Sequence, residues 1–182
     1  MSGISYTILR SSRKTISIVI KPGGEVEVRC PRRCSKREVD AFVVSKEGWI
    51  RKHLEAIAER PQQPVLSRQE LKSLADKAAA ALPEKVRRIA ESMEVSYGRI
   101  TIRSQRTRWG SCSAKGNLNF NCLLMLCPKE VQDYVVIHEL CHRKELNHST
   151  AFWAEVEKVC PDYRIHRKWL KENGSSLISR LP

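Results

Sequence analysis

The stretch Val135–Trp153, VVIHELCHRKELNHSTAFW, concentrates the side chains of this sequence that could do chemistry together. His138, Glu139 and His142 stand in H-E-x-x-H spacing, and His148 follows six positions after His142. Residues i and i+4 of a helix share a face, so the first two imidazoles can be offered to one ion. Glu139 is turned by about 100° from His138, which puts its carboxylate beside the ligands rather than among them. A carboxylate so placed can take a proton from a metal-bound water, the general-base role in metal-assisted hydrolysis. A catalytic zinc site keeps one position open and needs a third protein ligand.

His148 is the nearest source of that ligand. A straight continuation of the helix would turn it to the opposite face. The spacing therefore predicts a helix end between Arg143 and Asn147, with Asn147 left-handed as the chain doubles back. The three-histidine spacing equals that of the metzincin pattern, in which a glycine makes the turn; Glu145 occupies that position here. Glu155 and Glu157 on the following segment are the alternative third ligands. Imidazole suits zinc and the connecting loop is short, which favours His148. Tyr163 and His166, one helix further on, are the candidates for a second donor to the oxyanion that peptide hydrolysis develops.

The elements that must hold these groups can be read from periodicity. Residues 5–30 alternate in the strand manner around Tyr6–Leu9, Ile16–Ile20 and Val26–Val28, with Pro22-Gly-Gly as a hairpin turn. From Ser35 the pattern turns helical, and Gly48 is expected to divide it into two helices, the second Trp49–Glu59. Pro61-Gln-Gln-Pro64 reads as a linker. Ser67 opens a helix that Pro83 is expected to interrupt. Three short strands follow, at Arg99–Arg103, around Trp109–Cys112 and at Leu118–Cys122, with a turn at Lys115-Gly116. The active-site helix opens at Pro128, a favoured first helical residue. Ser149 or Thr150 caps the next helix; Tyr163–Asn173 is the last, with Gly174 as its stop and a frayed tail at Ser175–Pro182.

Composition narrows the class. At 182 residues, 41% hydrophobic and 29% charged, the chain has the make-up of a globular protein. No apolar run reaches membrane-span length and the start lacks a signal-peptide core, so a cytoplasmic protein without a membrane partner is expected. Seven cysteines without repeated C-x-x-C pairs argue against a disulfide framework. Cys30 and Cys34 lack the second pair that a structural zinc site needs. The net charge of +13, spread over SSRK, PRRCSKR, IRKH, KVRR and RSQRTR, favours anionic partners. Nucleic acid is therefore possible through the basic surface, although no row of stacking aromatics accompanies the charge.

Five segments carry a family resemblance: RWGSCS (Arg108–Ser113), NLNFN (Asn117–Asn121), DYVVIHELCH (Asp133–His142), NHSTAFW (Asn147–Trp153) and PDYR (Pro161–Arg164). Together they resemble the YgjP-like metallopeptidases, a family related to the WLM and SprT-like zincins. The resemblance covers nearly the whole chain. It implies an α+β fold: a minimal zincin-like catalytic domain at 65–182, made of a small antiparallel sheet and the active-site helix. A β-rich and helical N-terminal part occupies 1–60. It also implies zinc on His138, His142 and His148, with Glu139 as the base. The strand around Trp109–Ser113 would border the cleft, making Trp109, Gly110 and Ser111 substrate contacts for an extended peptide paired to an edge. A buried tryptophan and a tight turn explain RWGSCS equally well. The expected function is zinc-dependent hydrolysis of a peptide or protein substrate. The alternatives are a basic nucleic-acid-associated protein, either a DNA–protein crosslink protease like the WLM and SprT-like relatives or a non-catalytic module, and a hydrolase of another amide.

Overall fold

A computed structural model describes residues 3–21, 23–59 and 63–182. Pro22 of the expected hairpin turn, and Pro61 and Gln62 of the expected linker, lie outside the described residues. The chain divides into two compact units, Met1–Gln62 and Gln63–Pro182.

The first unit contains β1 (Thr7–Ser11), β2 (Ser17–Ile20), β3 (Val26–Pro31), α1 (Lys36–Ser45) and α2 (Glu47–Ala58). Its sheet has the order β1-β3-β2, with β1 parallel and β2 antiparallel to β3. Alternation works as expected in the central strand: Val26, Val28 and Cys30 point inward and pack with Val39, Val43 and Ile50 of the helices. Ser35 starts α1 through a capping box with Glu38. The break between the helices falls at Lys46, whose φ is −113° and ψ 9°, not at Gly48. Gly48 lies inside α2, and a Cβ there would meet nothing within 4 Å, so no feature of the fold needs a glycine.

The second unit contains α3 (Arg68–Ser92), β4 (Ile100–Arg103), β5 (Gly110–Cys112), β6 (Leu118–Asn121), a 3-10 turn at Cys122–Leu126, α4 (Lys129–Cys141), α5 (Thr150–Val159) and α6 (Tyr163–Ser179). Ser67 caps α3 through a box with Glu70. The helix runs unbroken through Pro83, contrary to the sequence expectation. Leu74, Ala78, Leu82, Val86 and Ile89 form one buried stripe on both sides of the proline, and that burial outweighs the lost backbone bond.

The sheet of this unit is mixed rather than antiparallel, with order β4-β6-β5. β5 and β6 form the expected hairpin, closed by Gly116 at φ +81°. β4 pairs parallel to β6 because the chain crosses over between Arg103 and Gly110, which puts β6 in the centre and leaves β5 at the edge. Asn121, 1% exposed, holds that crossover: its Nδ2 donates to the carbonyls of Gln105 (2.7 Å) and Arg108 (3.1 Å).

Gly174 does not stop α6, and the tail is not frayed. The helix continues to Ser179, and Leu177 and Leu181 are buried. The backbone N–H of Leu66 donates to the Arg180 carbonyl at 2.8 Å. A Cβ at Gly174 would lie 3.2 Å from Trp109 Nε1, so this glycine admits the indole of Trp109 against α6.

Candidate metal centre

α4 carries His138 and Glu139, presents His142 at its C-cap, and is buried on almost every side, through Val131, Tyr134, Val135, Val136, Ile137, Leu140 and Cys141. Pro128 precedes it as the N-cap rather than occupying its first turn. Lys85 of α3 forms an ion pair with Asp133 near its start. The helix ends at Cys141, earlier than the spacing predicts, with His142 as its cap. Tight bonds close the end: the N–H groups of Arg143 and Lys144 donate to the carbonyls of Leu140 and Cys141. Arg143 ties the turn to neighbouring backbone, through Nε to Ser96 O (2.9 Å) and Nη1 to Ala114 O (3.2 Å).

Asn147 is not left-handed; among the described residues Glu94 is the non-glycine residue with positive φ. Instead, Asn147 Oδ1 accepts from the N–H of Ser149 at 3.0 Å, and Ser149 caps α5. Side chain rather than strained backbone turns the chain, which is why glycine is not needed at Glu145.

The result is a meeting of three imidazoles. Their ligand-capable atoms lie within 4.8 Å of one another, and His138, His142 and His148 are the group of this kind found among the described residues. His138 Nε2 and His148 Nε2 face each other at 2.9 Å. His142 Nδ1 lies 3.0 Å from the Glu145 carbonyl; the carbonyl can only accept, so Nδ1 is the donor there and Nε2 is the nitrogen left to face an ion. Burial, with help from the neighbouring histidines and Arg167, pushes the His138 pKa down to about 3. Burial likewise lowers that of His148. Neutral imidazoles are the ligating form. Phe152 floors the group, its ring 4.9, 4.6 and 4.8 Å from those of His138, His142 and His148. The donor set therefore fits a divalent cation that accepts imidazole nitrogen. Glu155 pairs with Lys144 and Lys158, and Glu157 with Arg164; neither joins the group.

Glu139 is 5% exposed. Burial pushes its carboxyl up to about 8, opposed by the charge of Arg108 and a hydrogen bond from the Cys112 backbone. Its side chain lies directly on β5: a Cβ added at Gly110 would fall 2.7 Å from both Cγ and Oε1 of Glu139. The role of Gly110 is thus to let the glutamate approach. Trp109 packs against Gly174 and the core, and Ser111 Oγ accepts from Asn119 Nδ2 at 3.2 Å. Tyr163 is buried, its ring stacked on Trp153 at 5.2 Å. His166 lies 6.3 Å, ring to ring, from Tyr134.

Sequence reasoning passed over several neighbours. Tyr134 is one turn before His138, with rings 5.9 Å apart, and the i, i+4 relation could have found it. Trp153 reaches both His138 and His148, at 5.7 and 5.8 Å. Arg167 lies 4.5 Å over the Trp153 ring, a placement that no local pattern signals.

Among solved structures, the metallopeptidase zymogen of Pyrococcus abyssi abylysin is similar, with 24% identity and a TM-score of 0.45 over 50% of this chain and 92% of that one. The metallopeptidase zymogen of Methanocaldococcus jannaschii jannalysin shows 22% identity and a TM-score of 0.41, over 48% and 93%. A search of curated proteins finds no match. The model of the YgjP-like family, metallopeptidase domain, matches residues 14–75 and 62–173. With most of its length so matched, the chain belongs to the YgjP-like family of metallopeptidases.

Proposed function

We propose that the protein is a zinc-dependent peptidase in which His138, His142 and His148 hold the ion and Glu139 is the general base. The observation that carries this reading is the convergence of three imidazoles beside one buried carboxyl group. Held by these three residues, a zinc ion would supply Lewis-acid polarisation of the scissile carbonyl and acidify water. Glu139, held on β5, would be the group that accepts a proton from the attacking water and returns it to the leaving amine. Burial raises the pKa of the Glu139 carboxyl, and the Cys112 backbone and the charge of Arg108 oppose that rise. β5 is an edge strand, so an extended peptide can add to it main chain to main chain. Tyr163 and His166 stay candidates for the second oxyanion donor. Ser111 and Trp109 act on substrate by shaping β5, and Gly110 by positioning Glu139.

The test is cleavage of an unfolded protein substrate by chelator-treated protein before and after addition of one equivalent of zinc. The expected result is no cleavage before and cleavage after. A zinc-loaded protein that cleaves no peptide bond would overturn the proposal.

A further inference from the structure

The first unit gathers uncompensated positive charge at one end of its sheet. β1 and β3 run parallel, with Ser11 beside Pro31, so both strands deliver their C-terminal ends to the same edge. β2 runs the other way, with Ser17 beside Arg29, so its start lies there too. The stretches at the ends of β1 and β3, RSSRKT (10–15) and RRCSKR (32–37), therefore meet. Arg10 fastens them, donating through Nη1 to the carbonyls of Arg32 and Cys34.

Among the described residues of this unit, four cations have carboxylate partners, Lys36 of the second segment among them. Lys21 pairs with Glu25 at 3.0 Å, Arg29 with Glu27 at 2.7 Å, Lys36 with Asp40 at 3.0 Å and Arg51 with Glu47 at 2.6 Å. Glu38, the acid nearest in sequence to the second segment, is committed to the backbone and hydroxyl of Ser35. Among the described residues no carboxylate pairs with Arg10, Arg13, Lys14, Arg32, Arg33 or Arg37. The Nε of Arg13 is buried there with no hydrogen-bond partner, a donor that wants an acceptor.

We propose that this end of the first unit binds the phosphodiester backbone of a nucleic acid without reading its sequence, independently of the metal centre. The cations are mostly arginines, whose forked donors match phosphate oxygens two at a time. Ser11, Ser12 and Thr15 stand between them, and hydroxyls are common phosphate donors. Exposed apolar side chains, which a membrane surface would call for, are missing from both segments: Cys34 is buried. A linear polymer of evenly spaced charge can meet several of these side chains at once, releasing counterions as it does.

The experiment uses the full chain and a labelled mixed-sequence oligonucleotide, followed by anisotropy across salt concentration. Three proteins are compared: wild type, the triple variant Arg13→Gln/Arg33→Gln/Arg37→Gln, and a charge-matched control, Lys72→Gln/Lys77→Gln/Lys171→Gln, at exposed positions of the second unit. Folding is checked by thermal melting. The arginine variant should bind at least about tenfold more weakly at about 100 mM salt, and its log–log salt slope should flatten by about 2–3, whereas the control should do neither. Poly-glutamate serves as the competing ligand. Absence of wild-type binding, equal losses in the two variants, or poly-glutamate binding as tight as the oligonucleotide would each overturn the proposal; the last would assign the surface to an acidic protein.

Discussion

Replacing Gly110 by alanine probes how Glu139 is positioned, because the added carbon has nowhere to go. A Cβ at that position lies 2.7 Å from Cγ and Oε1 of Glu139 and 2.9 Å from Cδ, where ordinary contact begins at 3.4 Å. Restoring contact requires the glutamate or β5 to retreat by about 0.7 Å. Overpacking of this kind costs about 1–3 kcal/mol of stability. A misplacement near 1 Å in a reacting group can cost about a hundredfold in rate, so turnover should fall by about ten- to a hundredfold. The assay measures kcat/KM of zinc-loaded wild type and Gly110→Ala on the same unfolded protein, with zinc content and melting temperature measured in parallel. Zinc should stay near wild-type level, because the three atoms nearest the new carbon all belong to Glu139 and none to an imidazole. Gly48→Ala is the control: its Cβ meets nothing within 4 Å, and it should be neutral or stabilising by up to about 1 kcal/mol. Full turnover and an unchanged melting temperature in Gly110→Ala would refute the placement of Glu139 against β5.

Other outcomes follow from the same packing. Phe152→Ala removes a fully buried ring that touches all three imidazoles; melting should show a loss of about 3–5 kcal/mol, and zinc titration a weaker affinity. Pro83→Ala restores a backbone donor inside an unbroken helix and should raise stability by about 1–3 kcal/mol in denaturant unfolding. Deleting 175–182 should destabilise by several kcal/mol, since Leu177 and Leu181 are each worth about 1.5–3; a merely frayed tail would leave the unfolding midpoint where it was. Gly116→Ala forces a side chain to φ +81° and to within 2.9 Å of Arg143 Cζ, so it should cost at least about 1–2 kcal/mol by the same measurement.

Local chemistry was legible wherever it acts within a few residues. The helix starts at Ser35 and Ser67, the alternation of β3 and the i, i+4 pair His138 and His142 could each be read from the sequence. The return of His148 was legible as a need, but its means were not. Asn147 works through its side-chain oxygen, and Arg143 through carbonyls 47 and 29 positions away. Pro83 and Gly174 misled for a shared reason: a breaking tendency is local, whereas the buried stripe of α3 and the indole of Trp109 are tertiary. The parallel entry of β4 was out of reach because Asn121, which secures the crossover, binds carbonyls 16 and 13 residues back. Gly110 was expected against substrate, and the structure shows it against Glu139.

The most direct measurement is hydrolysis by zinc-loaded Glu139→Gln, with zinc quantified in the same sample by plasma mass spectrometry. The amide is isosteric, so the three imidazoles should keep about one zinc per chain while turnover falls by at least about a hundredfold, the share a positioned general base contributes. Wild-type turnover by a zinc-loaded Glu139→Gln protein would contradict the assignment of Glu139 as the base.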